Sequence, residues 1–111
     1  MLVNVVAKLG DPEGPGPGGD AEFQVRRRDG VVKKLFDIEL ARAKPGDVYK
    51  VEIDGVAVGE FTIEEDGQGE LEFSNEADEQ FPSNFPDLKP GSTVRVGDRF
   101  EGKFEPKPEK T

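Results

Sequence analysis

The sequence predicts an all-β fold, an antiparallel β-sandwich or flattened barrel of seven to eight strands. Three features predict it. Apolar and polar residues alternate with period two through most of the chain, the mark of strands with one face in a core. Turn dipeptides, above all Asp29-Gly30, Asp54-Gly55 and Asp66-Gly67, interrupt that alternation at the roughly 8–12-residue spacing of all-β domains. Finally, 8 Phe are set into the alternation although only 33% of residues are hydrophobic and 35% are charged. That balance describes a thin core under strongly charged outer faces.

At 111 residues the chain is read as one domain, residues 1–105, followed by an extended tail over 106–111 whose Pro and charged residues alternate. The predicted strands are 2–9, 21–27, 31–41, 47–54, 56–64, 68–74, 92–97 and 99–105. In the first, Val3, Val5, Ala7 and Leu9 share a face. Gly10 to Asp20 has no apolar side chain and mixes Pro with Gly, so 10–20 is expected to be a mobile loop outside any ladder. It is not a phosphate loop, because no helix follows and the Lys-Ser/Thr pair is missing. Ala21, Phe23 and Val25 point inward from the second strand, and Val32, Phe36, Ile38 and Leu40 from the third, across the Asp29-Gly30 turn.

Lys44-Pro45-Gly46-Asp47 is a turn by composition, with Pro at the position whose fixed φ suits it. It leads into the stretch around which the chain is expected to be organised. Tyr49, Val51 and Ile53, then Phe61 and Ile63, then Leu71 and Phe73 form a three-stranded meander. Asp-Gly at each of its turns is a strong hairpin signal, because both central residues of the favoured turn need φ > 0. Parity slips between Val58 and Phe61, which predicts a β-bulge at Gly59-Glu60 with Gly59 supplying the unusual backbone. Asp29–Glu39 and Asp54–Glu64 share Asp, Gly, Val, Phe, Ile and Glu at equal offsets. Two hairpins under the same turn and core constraints converge on such letters, and two units fall short of a repeat array.

Residues 75–91 form the longest interruption. Ser74 or Asn75 is placed to cap one helical turn through Gln80, after which Phe81-Pro82 and Phe85-Pro86 force extended backbone. The loop is expected to fold Phe81, Phe85 and Leu88 over an open end of the sandwich as a lid. The alternative is a ligand or partner site made of exposed aromatics. A last hairpin turns at Gly97-Asp98.

Composition removes whole classes of chemistry. There is no Cys and no His, hence no disulfide framework, no thiolate site and no imidazole base or ligand. Ser74, Ser83, Ser92, Thr62, Thr93 and Thr111 are the only short hydroxyls, and none lies in a Gly-x-Ser-x-Gly elbow. Pairs among 24 acidic residues arise at any spacing and mark no glycosidase. The expectation is a protein that is not an enzyme, with no catalytic, cofactor-binding or metal-binding residue assigned. Glu64-Glu65-Asp66 and Glu76-Ala77-Asp78-Glu79 offer oxygen ligands for Ca²⁺ but match no calcium-loop pattern, and solubilising charge explains them as well.

Net charge is −9, unevenly spread. Val51 to Leu88 holds 12 acidic residues and no Lys or Arg, while the flanks hold all 15 basic residues against the other 12 acids, a net of +3. Nucleic acid and anionic membrane are disfavoured as partners. The cluster Arg26-Arg27-Arg28 with Lys33-Lys34 is compatible with a single-strand-binding barrel, but Phe23 and Phe36 have core parity and make no stacking platform. A more economical use sets this basic hairpin against the acidic meander of another copy or a neighbouring domain. No segment reaches the ~18 apolar residues of a membrane span, and Leu2–Leu9 is too short and polar for a signal-peptide core, so the expectation from the residues is either a cytosolic protein or numbering that begins after a removed leader.

Gly46-x-x-Tyr49-x-Val51-x-Ile53-Asp54-Gly55-Val56-x-Val58-Gly59, Asp66-Gly67-x-Gly69-x-Leu71 and Phe85-Pro86-x-Leu88-x-x-Gly91-x-x-Val94-x-Val96-Gly97 together resemble small all-β domains of bacterial, notably planctomycete-type, exported proteins, which often stand in tandem. Gly19-Asp20-Ala21-x-Phe23 with Phe36-x-Ile38-x-Leu40 also resembles the CHRD domains of extracellular proteins, without their His pair. The resemblance implies the same fold and an exported or extracellular setting with the leader absent from this chain, and lends no activity. The function expected is a structural or interaction module of a larger exported or cell-surface protein, with another protein or a second copy as partner. A Ca²⁺- or carbohydrate-binding module is the first alternative, and an oligonucleotide-binding barrel the second.

Overall fold

Backbone chirality at the turns builds the two halves of the molecule. The computed structural model describes residues 3–10, 16–75 and 81–106. Asp29 and Gly30 have φ of 52° and 79°, and Asp54 and Gly55 have φ of 50° and 82°. Both central residues of each turn are therefore left-handed, the geometry whose twist matches that of paired strands. The first turn joins β2 (Gly18–Arg28) to β3 (Val31–Ala41), and the second joins β4 (Val48–Ile53) to β5 (Val56–Thr62). Around these hairpins stand β1 (Val3–Gly10), β6 (Gly69–Ser74), β7 (Thr93–Val96), β8 (Phe100–Lys103) and β9 (Glu105–Pro106). One sheet has the order β6-β3-β2-β1-β9 and the other β5-β4-β7-β8, all pairs antiparallel. The all-β sandwich is as expected, and among the described residues no helix is long and apolar enough to cross a membrane.

Three readings change. The meander does not exist: β5 ends in one sheet and β6 starts in the other, where it pairs with β3 from Leu35↔Ser74 to Leu40↔Gly69. At Asp66-Gly67 only the glycine is left-handed, at φ 84°, and the turn is a corner between sheets rather than a hairpin. It is pinned by Gly67 N donating to Glu64 O and Ala43 N donating to Gly67 O, both at 3.0 Å. Second, the expected loop over 10–20 is strand at both ends, since Gly10↔Gly18 and Leu9↔Gly19 extend the β1–β2 ladder. Glycine permits this approach, because a Cβ on Gly19 would run into the Glu39 carbonyl on β3. Residues 11–15 lie outside the described residues.

Third, the bulge sits one residue early. Val51 pairs with Gly59 and Glu52 with Ala57, which leaves Val58 as the extra residue. Gly59 is not among the positive-φ residues; its smallness serves packing, since a Cβ there would stand 3.1 Å from Leu71 Cδ2 and 3.3 Å from Phe73 Cζ. Asn75 also has partners on β3. It accepts from Lys34 N at 2.9 Å and donates to Val32 O at 2.9 Å, standing in for a strand at the free edge of β3. Residues 76–80, and with them the rest of the expected turn, lie outside the described residues, as do 107–111 of the expected tail. Pro106 belongs to β9, which pairs with Val5 and Val6.

The Lys44–Asp47 turn is as read. Asp47 N donates to Lys44 O at 3.2 Å and Gly46 takes φ 90°, the type II form with Pro at its second position. Lys89-Pro90-Gly91-Ser92 repeats it before β7, with Ser92 N to Lys89 O at 3.0 Å and Gly91 at φ 95°.

The core lies between the sheets on the predicted parity. Val5, Leu9, Phe36, Ile38, Val51, Ile53, Val94 and Phe104 are fully buried. Phe81 and Phe85 close one end as a half-buried lid over Phe23, Phe36 and Phe73, with ring centroids of Phe36 and Phe85 5.3 Å apart and of Phe81 and Phe85 4.9 Å apart. Leu88, buried, anchors the lid.

Candidate functional site

With every other residue of β2, β3 and β6 turned inward, the intervening residues form the outer face of the five-stranded sheet. Two rows cross it. Val6, Glu22, Asp37 and Glu72 are successive cross-strand partners, and so are Lys8, Asp20, Glu39 and Glu70. Six carboxyl groups thus stand side by side on three adjacent strands. Like charges directly opposite each other are destabilising, by up to roughly 1 kcal/mol per pair.

The titration of the cluster records that crowding. Asp37 is raised from its ordinary 3.8 to about 7, first by burial, then by the charge of Glu39, then by a hydrogen bond to Glu70. Glu39 is raised too, chiefly by its own hydrogen bond with Glu70 and then by burial. A hydrogen bond between two carboxyl groups needs a proton on one of them, so the cluster retains protons that isolated acids would release. Asp37 Oδ1 is enclosed and has no hydrogen-bond partner. Carboxylate oxygens of Asp37, Glu70 and Glu72 come within 4.8 Å of one another. Beside the second row an open pocket of about 440 Å³ is lined by Asp20, Glu39, Glu64, Glu70 and Arg42.

Toward the hairpin tip the same face changes sign. Beyond an uncharged row of Asn4, Gln24, Leu35 and Ser74 stand Arg26 paired with Lys33, then Arg28 paired with Val31. The cationic hairpin is therefore exposed, while Phe23 and Phe36 are buried and offer no stacking surface.

Sequence reasoning placed the acidic surface on β4–β6, but strand pairing divides it. Glu70 and Glu72 join the acids of β2 and β3, whereas Glu52 and Glu60 lie on the opposite sheet. Of the calcium candidates, Glu64, Glu65 and Asp66 are exposed at the corner, outside the close group of Asp37, Glu70 and Glu72: Glu64 lines the neighbouring pocket and Asp66 Oδ1 accepts from Gln68 N at 3.0 Å. Glu76, Asp78 and Glu79 lie outside the described residues. The missed signal was acid at successive outward positions of two strands, 37 and 39 and then 70 and 72, which becomes a cluster only once β3 and β6 are neighbours. The aromatic alternative survives only in part, as a pocket of about 430 Å³ lined by Phe23, Lys34, Asn75, Phe81 and Phe85 beside the lid. No protein-family model and no curated protein matches the chain.

Proposed function

We propose that this domain is a non-enzymatic interaction module that binds a cationic protein surface across the outer face of β2, β3 and β6. One observation carries the reading: two cross-strand rows of like charge on a face that could have been built from alternating charge at no loss of solubility. Groups held far from their ordinary pKa concentrate at functional sites, and Asp37 at about 7 is such a group. The same value suits a general acid, but the face is open and flat and the chain contains no His or Cys to complete a catalytic set. A wider setting in an exported or cell-surface protein rests on the resemblance alone.

The test is titration of an oligo-arginine peptide into the protein at low ionic strength, followed calorimetrically. Binding should weaken steadily with log salt and fall at least tenfold in the triple variant Glu39→Gln, Glu70→Gln, Glu72→Gln. Equal affinity of the two proteins overturns the reading. So does a rise in melting temperature with millimolar Ca²⁺ in the absence of peptide binding, which would make the face a hard-cation site instead.

A further inference from the structure

The acid rows and the basic tip share one face, and their spacing has a symmetry. Rows two residues apart along a strand are about 7 Å apart. Take Gln24–Leu35, uncharged, as the centre. One step toward the tip is Arg26–Lys33, and one step away is Glu22–Asp37, extended by Glu72. Two steps toward the tip is Arg28, and two steps away is Asp20–Glu39, extended by Glu70. Each cationic row is matched by an acidic row at the same distance on the other side.

We propose that a second copy of this chain is the partner: two copies pack face to face with antiparallel strands, about a twofold axis through the Gln24–Leu35 row. The inference rests on the reading of this face as a binding surface, and names its occupant. The axis lays Arg26 and Lys33 of one copy over Glu22 and Asp37 of the other, and Arg28 over Asp20 and Glu39. Because the interface is isologous, each contact is made twice. Half-buried Leu35 lies at the centre, where it meets its own symmetry mate, and Val31, 56% exposed beside Arg28, gains cover. Face-to-face sheets pack about 10 Å apart and cross at roughly 30°, a gap that long charged side chains span and a rotation that keeps rows near the axis in register.

The pair is weak. Three strands over residues 20–28 give a strip roughly 27 Å long and 10 Å wide, well under the ~800 Å² per partner of a standard interface. Acids also outnumber the cations that meet them, so attraction is partial and salt removes it.

Sedimentation velocity on the intact chain tests the pairing. At low ionic strength and high concentration the mean mass should rise toward twice the monomer's, and at about 0.5 M salt, where screening acts within a few ångströms, it should return to the monomer value. Arg26→Glu/Arg28→Glu sets acid against both acid rows with only Lys33 left cationic on this face at the tip, and Asp20→Lys/Glu39→Lys turns the outer acid row against Arg28, so either change opposes like charges in a pair of identical copies; all four positions are exposed. Each double variant alone should be a monomer with a cooperative melt, and an equimolar mixture should pair. A monomeric wild type at low salt, a double variant that still self-associates, or a mixture that stays monomeric overturns the inference. If Arg26→Glu/Arg28→Glu fails to pair but still binds oligo-arginine, while the mixture also stays monomeric, only the second-copy assignment falls. If peptide binding is absent as well, the reading of the face falls with it.

Discussion

The two sheets present solvent with faces built on opposite rules. On the four-stranded sheet, Lys50 stands opposite Glu60, and Arg95 stands between Glu52 on one side and Glu101 on the other. Every charged pair there joins opposite signs. On the five-stranded sheet, Asp20, Glu39 and Glu70 form one row and Glu22, Asp37 and Glu72 the next, like against like except where Lys8 on β1 stands beside Asp20. The same chain, at the same pH and with the same need for solubility, satisfies the cross-strand charge rule on one face and violates it on the other. The contrast is what supports the proposal that the five-stranded face is a binding surface. It also shows why net charge alone was a poor guide: −9 says nothing about which face carries the excess.

The largest expected effect comes from breaking the frame that holds the acid rows together. Gly19 lies on β2 between Leu9 of β1 and Leu40 of β3, and a Cβ there meets the Glu39 carbonyl rather than a movable side chain. Gly19→Ala should therefore cost about 3 kcal/mol or more, because backbone must shift to admit the methyl group. Chemical denaturation measures the loss. A change of less than about 0.5 kcal/mol, the range of an ordinary surface substitution, would show that β2 and β3 do not approach as closely as described.

The next effect has the opposite sign. Asp37 holds its proton to about pH 7 when folded and to about 3.8 by its ordinary value, so between these limits the folded state binds more protons than the unfolded. Stability is then greatest below pH 4 as far as this group is concerned, falls as pH rises toward 7, and levels off above. The full shift corresponds to about 4 kcal/mol, but Asp37 is only half-buried and solvent screening reduces the expected loss to about 1–2 kcal/mol. Asp37→Asn should recover that amount at pH 8, raising the melting temperature by about 5 °C or more, and gain little at pH 4. A variant less stable than the wild type at pH 8 would mean that the rows are already neutralised within the monomer.

The fold class was legible because burial follows parity, and parity needs no knowledge of partners. Phe36 and Ile38 are inward whichever strand lies beside them. The hairpin turns were legible for the same local reason, since Asp29-Gly30 and Asp54-Gly55 dictate their own backbone. Sheet membership was not legible. Asp66-Gly67 has the same letters as the other turns, yet the residues that make it a corner, Ala43 and Glu64, are distant in sequence or lie before it. Because β6 was assigned to the wrong neighbour, the acid cluster could not be assembled: Glu70 and Glu72 meet Glu39 and Asp37 only through a pairing over more than 30 residues of chain. The bulge shows the intermediate case. Its existence followed from the parity slip, but its position depended on how Gly59 packs beneath Leu71 and Phe73.

The comparison itself can be inverted on the well-behaved face. Arg95 is exposed and has Glu52 and Glu101 as cross-strand neighbours, so Arg95→Glu rebuilds on the four-stranded sheet the three-acid row found on the five-stranded one. Two favourable pairs become two repulsive ones, which should cost about 1 kcal/mol at pH 8 and low salt. The loss should shrink at pH 4, where carboxylates begin to protonate, and in high salt. Arg95→Gln removes the attraction without adding repulsion and should cost only about 0.5 kcal/mol. If Arg95→Glu is as stable as the wild type at every pH and salt, three acids in a row on a solvated sheet carry no penalty. The rows on β2, β3 and β6 would then need no partner to explain them.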